Sequence, residues 1–505
     1  MSILLKQLLM RFSIISLIKI IGAFGRLPLF RLLGAEGIGL YQMTYSFYGL
    51  ILTFIVGGFP TALSLAVAKN ERIGIRLLKL SAVIMIGLGV IFYCFSFFFP
   101  SVISKVFGED KLIPAIRFLA PAFLIVPILG LIRGFLQGKE YYGIIAVSEL
   151  VEQVIRVFAM IVLSFLLIDS GLSYAVAGAT FAAVAGGFAS LLFLVVMLQR
   201  YSRELRIHQY SISRTSQPFG HVDTPMFLKM SIAILGVRLF GPITDFIDSI
   251  LIPNRLMASG LTSHESLSIY GIFAGMASTI VYIPTMITAA ISHILTVKIT
   301  ADWEALRIDH FQRRVSKALK LGVFWGITSS LFLFRYSEEI SLAIMGDNSI
   351  GTAVRYLSII PWVTGLRELS TSILWSINEK KVPLYGLIIG AILSFLISYF
   401  IIAIPEYRLI GVALGLLNLE IVASAWNLTV LYTKTKEPFQ LFHMVLDTIF
   451  LLLFILLSIV VIQLIMPYFS LAYSYQLIVT SIFYFGLTSL YILFRTGLLI
   501  RMEFF

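Results

Sequence analysis

The sequence predicts an all-α, polytopic membrane protein, and three observations carry that reading. Hydrophobic residues make up 59% of the 505-residue chain, and charged residues only 13%. That charged share is about half of what globular proteins carry. Apolar runs of about 20 residues, the length a helix needs to cross a bilayer, recur from one end to the other. Lipid offers no partner to an unpaired backbone amide, so a continuous apolar pattern of this kind must be helical. A membrane β-barrel would show short strands of alternating polarity, and none appear.

Apolar runs between charged or Gly/Pro-marked breaks give about 14 transmembrane helices. Their centres lie near Ile21, Ile51, Gly89, Val126, Phe158, Val184, Phe240, Ile283, Gly326, Trp362, Leu393, Leu416, Leu456 and Gly486. The longest polar stretch, around Tyr201 to Thr224, separates the first six from the next six. The expected organisation is therefore an N-terminal lobe over 1–200, a cytoplasmic linker over 201–225, a C-terminal lobe over 226–435, and two extra spans over 436–505. The two six-helix lobes are expected to flank a central cavity.

The formal net charge of +12 raises nucleic-acid binding, but the placement of the charges argues against it. Lys69, Arg72, Arg76 and Lys79 follow the second span. Arg200, Arg203, Arg206, Arg214 and Lys229 follow the sixth, and Lys298, Arg307, Arg313, Arg314, Lys317 and Lys320 follow the eighth. Basic residues crowded into alternate loops mark the cytoplasmic side, which puts both termini in the cytoplasm. The first apolar run carries Lys19 and Arg26 and no small-residue cleavage site follows, so it reads as a span rather than a cleaved signal. The single cysteine, Cys94, excludes an intramolecular disulfide and reads as a small buried hydrophobe.

The two halves carry a faint echo of each other. Ala115-Ile116-Arg117-Phe118-Leu119 before the fourth span matches Ala353-Val354-Arg355-Tyr356-Leu357 before the tenth, and Gly49 to Pro60 runs parallel to Gly275 to Pro284. Six spans separate the copies, so they have the same in/out sense, as in transporters that alternate access between paired bundles.

Two blocks resemble the stage V sporulation protein B family. The first is Arg31-Leu32-Leu33-Gly34-Ala35-Glu36-Gly37-Ile38-Gly39-Leu40-Tyr41, similar to that family's first loop. The second is Ile247-Asp248-Ser249-Ile250-Leu251-Ile252-Pro253-Asn254-Arg255-Leu256, followed by Gly260, Glu265, Tyr270-Gly271, Gly275-Met276-Ala277 and Pro284. The resemblance implies membership of the multidrug/oligosaccharidyl-lipid/polysaccharide exporter superfamily. It further implies export of a lipid-linked saccharide across the bacterial cytoplasmic membrane and a role in peptidoglycan synthesis, the spore cortex being one setting. Gly34, Glu36, Gly37, Asp248, Pro253, Arg255, Tyr270 and Gly271 are the family-motif positions.

A lipid-linked sugar of this kind carries an anionic pyrophosphate head, and shielding it inside the membrane calls for cationic donors, above all Arg with its planar fork. Charges in the hydrocarbon are costly and so are functional candidates. Arg26 is the leading one, deep in the first span near Gly25 and Pro28, with Lys19 two turns away. The lipid II flippases, which the chain resembles more distantly, also use a first-span arginine. Arg238 is expected in the comparable region of the second lobe, and Arg31 near the outer interface as contact or anchor. The bland alternative for each is a snorkelling side chain or a structural pair.

Glu149, Glu152 and Arg156 share one face of the fifth span, and Glu152 four residues before Arg156 is the favourable ion-pair order. A structural pair is the preferred reading, with Glu149 left as a proton or cation site. Asp245 and Asp248 flank the outer half of the seventh span, and Asp248, before Ile252-Pro253, reads as a loop-shaping or capping residue at least as often as a substrate contact. Arg133, Arg367, Glu368, His293, Glu420 and Asp447 are further intramembrane polar residues, with helix-to-helix contacts expected for the last two. Arg367 and Glu368, being adjacent, should find different partners.

No Walker-type glycine loop, Gly-x-Ser-x-Gly elbow or Cys/His cluster is present, so no enzyme activity, cofactor or metal is expected. The expected partners are the lipid-linked oligosaccharide, the bilayer and, as protein candidates, cell-wall polymerases; nucleic acid is not among them. Two other readings stand beside the flippase. A drug or organic-cation antiporter would want carboxylates in the first lobe, whereas the first span offers Lys19, Arg26 and no acid. A non-transporting scaffold that recruits a polymerase gains nothing from charges inserted into the membrane.

Overall fold

In the computed structural model of the chain, the structure describes residues 3–208, 224–435, 441–465 and 473–495. Among these residues the regular elements are helical and none is a strand. They fall into two compact units, Met1–Asn254 with Thr262–Gly271, and Arg255–Leu261 with Ile272–Phe505.

The first unit holds α1 (Ile3–Val56), α2 (Phe59–Lys69), α3 (Glu71–Phe98), α4 (Pro100–Phe107), α5 (Ile113–Leu119) and α6 (Ala122–Gly138). It continues with α7 (Tyr142–Leu167), α8 (Leu172–His208), α9 (Thr224–Arg238), most of α10 (Phe240–Ala258) and α11 (Ser263–Tyr270). A π-helical stretch, Gly271–Ala277, leads into α12 (Ser278–Val281) and α13 (Thr285–Glu304). The second unit goes on with α14 (Ile308–Arg335), α15 (Ser337–Met345), α16 (Gly351–Leu357), α17 (Ile360–Ser376), α18 (Lys381–Ile401), α19 (Arg408–Thr435), α20 (Leu441–Ile465) and α21 (Tyr473–Arg495). Helix α8 runs to His208, into the stretch read from sequence as a linker; positions 209–223 of that stretch lie outside the described residues.

Among the described residues, nine helices are long and apolar enough to cross a membrane, or up to twelve if each strongly bent pair is one span. The sequence led to an expectation of about 14 by the length rule. Two expected segments do not add to the structural tally. The first and second are two helices joined end to end at the Gly34 kink and so count as one stretch, and the tenth is the 17-residue α17, shorter than a full crossing. The outward faces suit lipid: Phe158, Phe165 and Phe494 are 64%, 65% and 67% exposed. In water such exposure would oppose folding; against hydrocarbon it costs nothing.

The loop expected at Arg31–Tyr41 is in fact a break at one residue. Within α1 only Gly34 leaves the helical region, at φ 65° and ψ −175°, a conformation open to glycine and strained for other residues. Two further family glycines then bring helices together. A Cβ on Gly39 would collide with the carbonyl oxygen of Leu267, and one on Gly271 with that of Ala35, so α1 and α11 cross backbone against backbone. Polar contacts reinforce this crossing. Glu36 accepts from Lys111 at 2.5 Å, its other oxygen lies 2.8 Å from His264 Nδ1, and Ser263 donates to Glu109 at 2.6 Å. Deeper in the unit, Ser46 donates to Ser249 of α10 at 2.7 Å.

The two halves repeat a local plan. Helix α4 ends at Gly108 (φ 76°) and α15 at Gly346 (φ 85°), both left-handed C-caps. The matching pentapeptides of the sequence fall in α5 and α16, and each leads into a 17-residue helix, α6 or α17. Two residues beyond those helices stand Glu140 and Asn378, non-glycine residues at φ 63° and 64°. One sequence offset separates all three pairs. Beyond Gly346, hydrogen bonds from the Ser349 side chain and backbone hold the Asp347 carboxyl below the usual carboxylate range. Tight hairpins follow in both halves. A Cβ on Gly186 of α8 would lie 2.7 Å from the Glu152 carbonyl oxygen of α7, and one on Gly390 of α18 2.8 Å from that of Leu419 in α19. Small residues at such contacts are the usual currency of helix packing in lipid.

These contacts generate two predictions. Gly271→Leu places a side chain where the Ala35 carbonyl lies, and overpacking of that kind costs about 1–3 kcal/mol. Gly236→Ala, which meets nothing within 4 Å, serves as control. Thermal unfolding in detergent should therefore drop for Gly271→Leu alone, and equal midpoints for the two variants would remove the glycine crossing. Glu36→Gln should lower the midpoint by the equivalent of roughly 1 kcal/mol at low salt. The difference from wild type should shrink in 1 M NaCl, whereas a gap that ignores salt would assign Glu36 a packing role only.

Candidate functional site

The fifth expected span, α7, carries the polar residues around which the first unit is organised. Arg156 pairs with Glu152 one turn before it, through Nη2 and Oε1. The other oxygen of Glu152 accepts from Arg133 Nη1 of α6 at 2.7 Å. Arg133 also donates from Nε to Ser148 Oγ at 3.0 Å and from Nη2 to Ser190 Oγ at 2.9 Å. Ser190 in turn donates to the Ser148 carbonyl at 2.8 Å. One arginine thus ties α6, α7 and α8 together. Two guanidiniums share one carboxylate in this network.

Aromatic residues face the same cluster. Tyr41 and Tyr45, one helical turn apart on α1, stack with ring centroids 5.1 Å apart, and Tyr48 meets Tyr45 edge-on at 5.4 Å. Tyr41 Oη donates to Met160 Sδ of α7 at 3.8 Å. Arg156 lies within electrostatic reach of all three tyrosines, and Arg26 within reach of Tyr41. Glycines bring Arg26 here: Cβ atoms on Gly22 and Gly25 would run into Gln153 and Val157 of α7, so span one packs directly on that helix. The Nε of Arg156 is buried without a hydrogen-bond partner.

Arg238, expected in the comparable region of the second lobe, makes its hydrogen bonds within the first compact unit. As the last residue of α9 it donates to the Gly57 carbonyl at 3.3 Å and to Thr61 Oγ1 at 2.9 Å, both in the first unit. The reason is local: Gly57, at φ 51°, ends α1 and leaves a carbonyl for an outside donor. Arg238, Arg133, Thr53, Val56, Gly57 and Gly130 are among the residues lining a cavity of about 360 Å³. Lys19 and Arg31 are exposed, while Arg26, Glu149 and Arg156 are half-buried.

Asp248 and Pro253 are also corrected. Both lie inside α10, so Asp248 neither caps a helix nor shapes a loop, and its Oδ1 is buried without a hydrogen bond. Arg255 donates to the Tyr399 carbonyl at 2.8 Å and sits over the Tyr399 ring at 4.1 Å, a structural anchor on α18. Tyr270 is buried. In the second unit Arg367 pairs with Glu420, joining α17 to α19. Asp447 holds both Lys320 and Arg495, joining α20 to α14 and α21. These charges act as helix-to-helix ties. The His293 side chain lies outside the described residues.

The sequence reading placed Arg133 among secondary residues, and the serines and tyrosines around it went unnoticed. The available signal was positional. Arg133 stands between Gly130 and Gly134 in an otherwise apolar run, and Tyr41, Tyr45 and Tyr48 recur at helical spacing. Chemically, the face joins forked cationic donors to aromatic hydroxyls, an arrangement suited to an oxyanion carried on a polar head.

Comparison with known proteins agrees with this architecture. Stage V sporulation protein B of Bacillus subtilis (strain 168) is 26% identical over 410 residues, covering 79% of this chain and 78% of the relative. Lipid II flippase MurJ of the same organism is 24% identical over 431 residues, with coverages of 79% and 77%. The fold is similar to a solved structure of lipid II flippase MurJ in an inward closed conformation. There the TM-score is 0.70 at 16% identity, with 97% of this chain and 99% of that one covered. The family model described as polysaccharide biosynthesis protein matches residues 4–298. A multi-pass helical membrane protein, this chain belongs to the polysaccharide biosynthesis protein family.

Proposed function

We propose that this membrane transporter is a flippase for a lipid-linked saccharide with a pyrophosphate-type head, such as a peptidoglycan precursor, in the bacterial cytoplasmic membrane. The observation that carries the reading is the guanidinium cluster in the membrane part of the first unit, where Arg133 and Arg156 share Glu152 and Arg26 lies close by. Charges inside the membrane are expensive to maintain, and forked donors of this kind suit an anionic head arriving from the membrane surface. The relative named lipid II flippase MurJ supports this substrate class. The working arrangement is a lobe over 1–200, a cytoplasmic linker over 201–225, a lobe over 226–435 and two accessory spans, with both termini cytoplasmic. Alternating access between the lobes needs no covalent step. The chain's task is to bind the head, shield its charge and release it on the other side.

The substrate-binding set is Arg26 with Arg156 and the tyrosine face; Lys19 and Arg31, both exposed, serve as entry or interfacial contacts. Accessibility of lipid II at the outer leaflet of reconstituted vesicles tests the assignment. Wild-type protein should raise it. Arg26→Ala should lower the rate by about ten- to a hundredfold, the worth of one charge-assisted contact of about 1.5–3 kcal/mol, while inserting normally. Normal flipping by Arg26→Ala would remove that residue. No protein-dependent rise, with cation-coupled dye efflux in its place, would replace the flippase by an antiporter.

A further inference from the structure

The cavity of about 360 Å³ in the first unit is set apart by what surrounds it. Its walls are apolar apart from Thr53 and two guanidiniums, Arg133 from α6 and Arg238 from the end of α9. The acceptors of Arg238 are uncharged, the Gly57 carbonyl and the Thr61 hydroxyl. Those bonds use two of the five donors on its fork. Arg133 spends one bond on Glu152 and two on serines, and Glu152 is itself shared with Arg156. Neither guanidinium therefore has a carboxylate to itself. In a low-dielectric surrounding, two such groups facing one space attract an anion, and forked donors select oxyanions of the phosphate type.

The cavity also sits where two helices are interrupted. Helix α1 ends at Val56 and α2 begins at Phe59 after Gly57, while α9 and α10 bend by 40° just after Arg238. Interrupted helices are where membrane transporters place ion and substrate groups. Arg238 already spans the two breaks through its bonds to Gly57 and Thr61.

We propose that this cavity is a phosphate-type oxyanion site in which Arg133 and Arg238 hold one anionic group between them. The site deepens the flippase reading and rests on it only for what carries the phosphate: the head of the lipid-linked substrate or an anionic phospholipid. Occupancy adds a shared ligand to an arginine that links the α1–α2 break to the α9–α10 break, so the two breaks are held together while the anion is bound.

Inorganic pyrophosphate is the probe, titrated calorimetrically against the full chain in zwitterionic nanodiscs. Two variants act on the site in different ways. Arg238→Gln removes a charge whose only acceptors are neutral. Gly130→Leu fills the cavity without touching a charge. A Cβ at Gly130 meets only ordinary contacts, 3.7 Å to Pro60 and 3.8 Å to Val56, so the helix accepts the longer side chain. Wild type should bind, and each variant should weaken binding at least tenfold with an unchanged unfolding midpoint. Wild-type-like binding by both variants, or no binding by wild type, overturns the site.

Flipping assays on the same preparations separate this site from the broader reading. Binding that depends on Arg238 in a protein that moves no lipid-linked sugar keeps the site and removes the flippase. Flipping by wild type with unaltered binding in both variants removes the site alone. The source of the anion follows from competition that is present in wild type and absent in Arg238→Gln. Phosphatidylglycerol in the nanodisc competing with pyrophosphate supports the site with a membrane lipid as occupant, and competition by a polyprenyl pyrophosphate supports it with the transported substrate.

Discussion

Inside a bilayer a charge has no water to turn to, and the first unit is arranged around the way one carboxylate meets that constraint. Both oxygens of Glu152 are engaged, one by Arg133 and one by Arg156. Arg133 then uses its remaining reach on Ser148 and Ser190, so that α6, α7 and α8 are cross-linked through a single fork. For stability alone such a cluster is a poor bargain, since well-packed apolar residues of similar volume usually serve as well or better. Under the proposed flippase reading its forked donors suit an anionic head, and the neighbouring tyrosines of α1 add a polar and aromatic wall.

Glycine decides how closely the helices that carry these groups approach one another. Gly22 and Gly25 let span one lie on α7, which sets Arg26 beside the cluster, and Gly186 lets α8 lie on the backbone of α7. Gly39 and Gly271 do the same for α1 and α11 near the Gly34 break. Without a hydrophobic force between helices in lipid, close backbone approach and hydrogen bonds such as Ser46 to Ser249 are what hold these contacts. Several glycines that look like loop residues in the sequence are packing residues, whereas Gly34, Gly57, Gly171, Gly260 and the left-handed caps Gly108 and Gly346 are there for their backbone angles.

The internal repeat gives the two halves similar connectors and different chemistry. The caps at Gly108 and Gly346, the short helices α5 and α16, and the left-handed residues Glu140 and Asn378 are shared. The charged clusters are not. In the first half Arg133 and Arg156 meet on Glu152 beside the tyrosines of α1, whereas in the second Arg367 pairs with Glu420, and Lys320 and Arg495 meet on Asp447.

Composition and apolar run length were enough to establish a multi-pass helical protein, because the cost of an unpaired amide in lipid leaves no other regular structure for so long a hydrophobic pattern. The short matches around Ala115 and Ala353 were likewise legible, and they mark true equivalent helices. The spacing of Glu152 and Arg156 showed which face of α7 is polar, since residues four apart on a helix are neighbours by geometry. Nothing local to the sequence, however, said that Arg133 reaches across to that face, that Arg238 turns to the Gly57 carbonyl, or that Asp248 and Pro253 lie inside a continuous helix. Those outcomes depend on partners tens to hundreds of residues away, and on which carbonyls a break in another helix leaves unpaired. Tertiary structure alone brings such groups together.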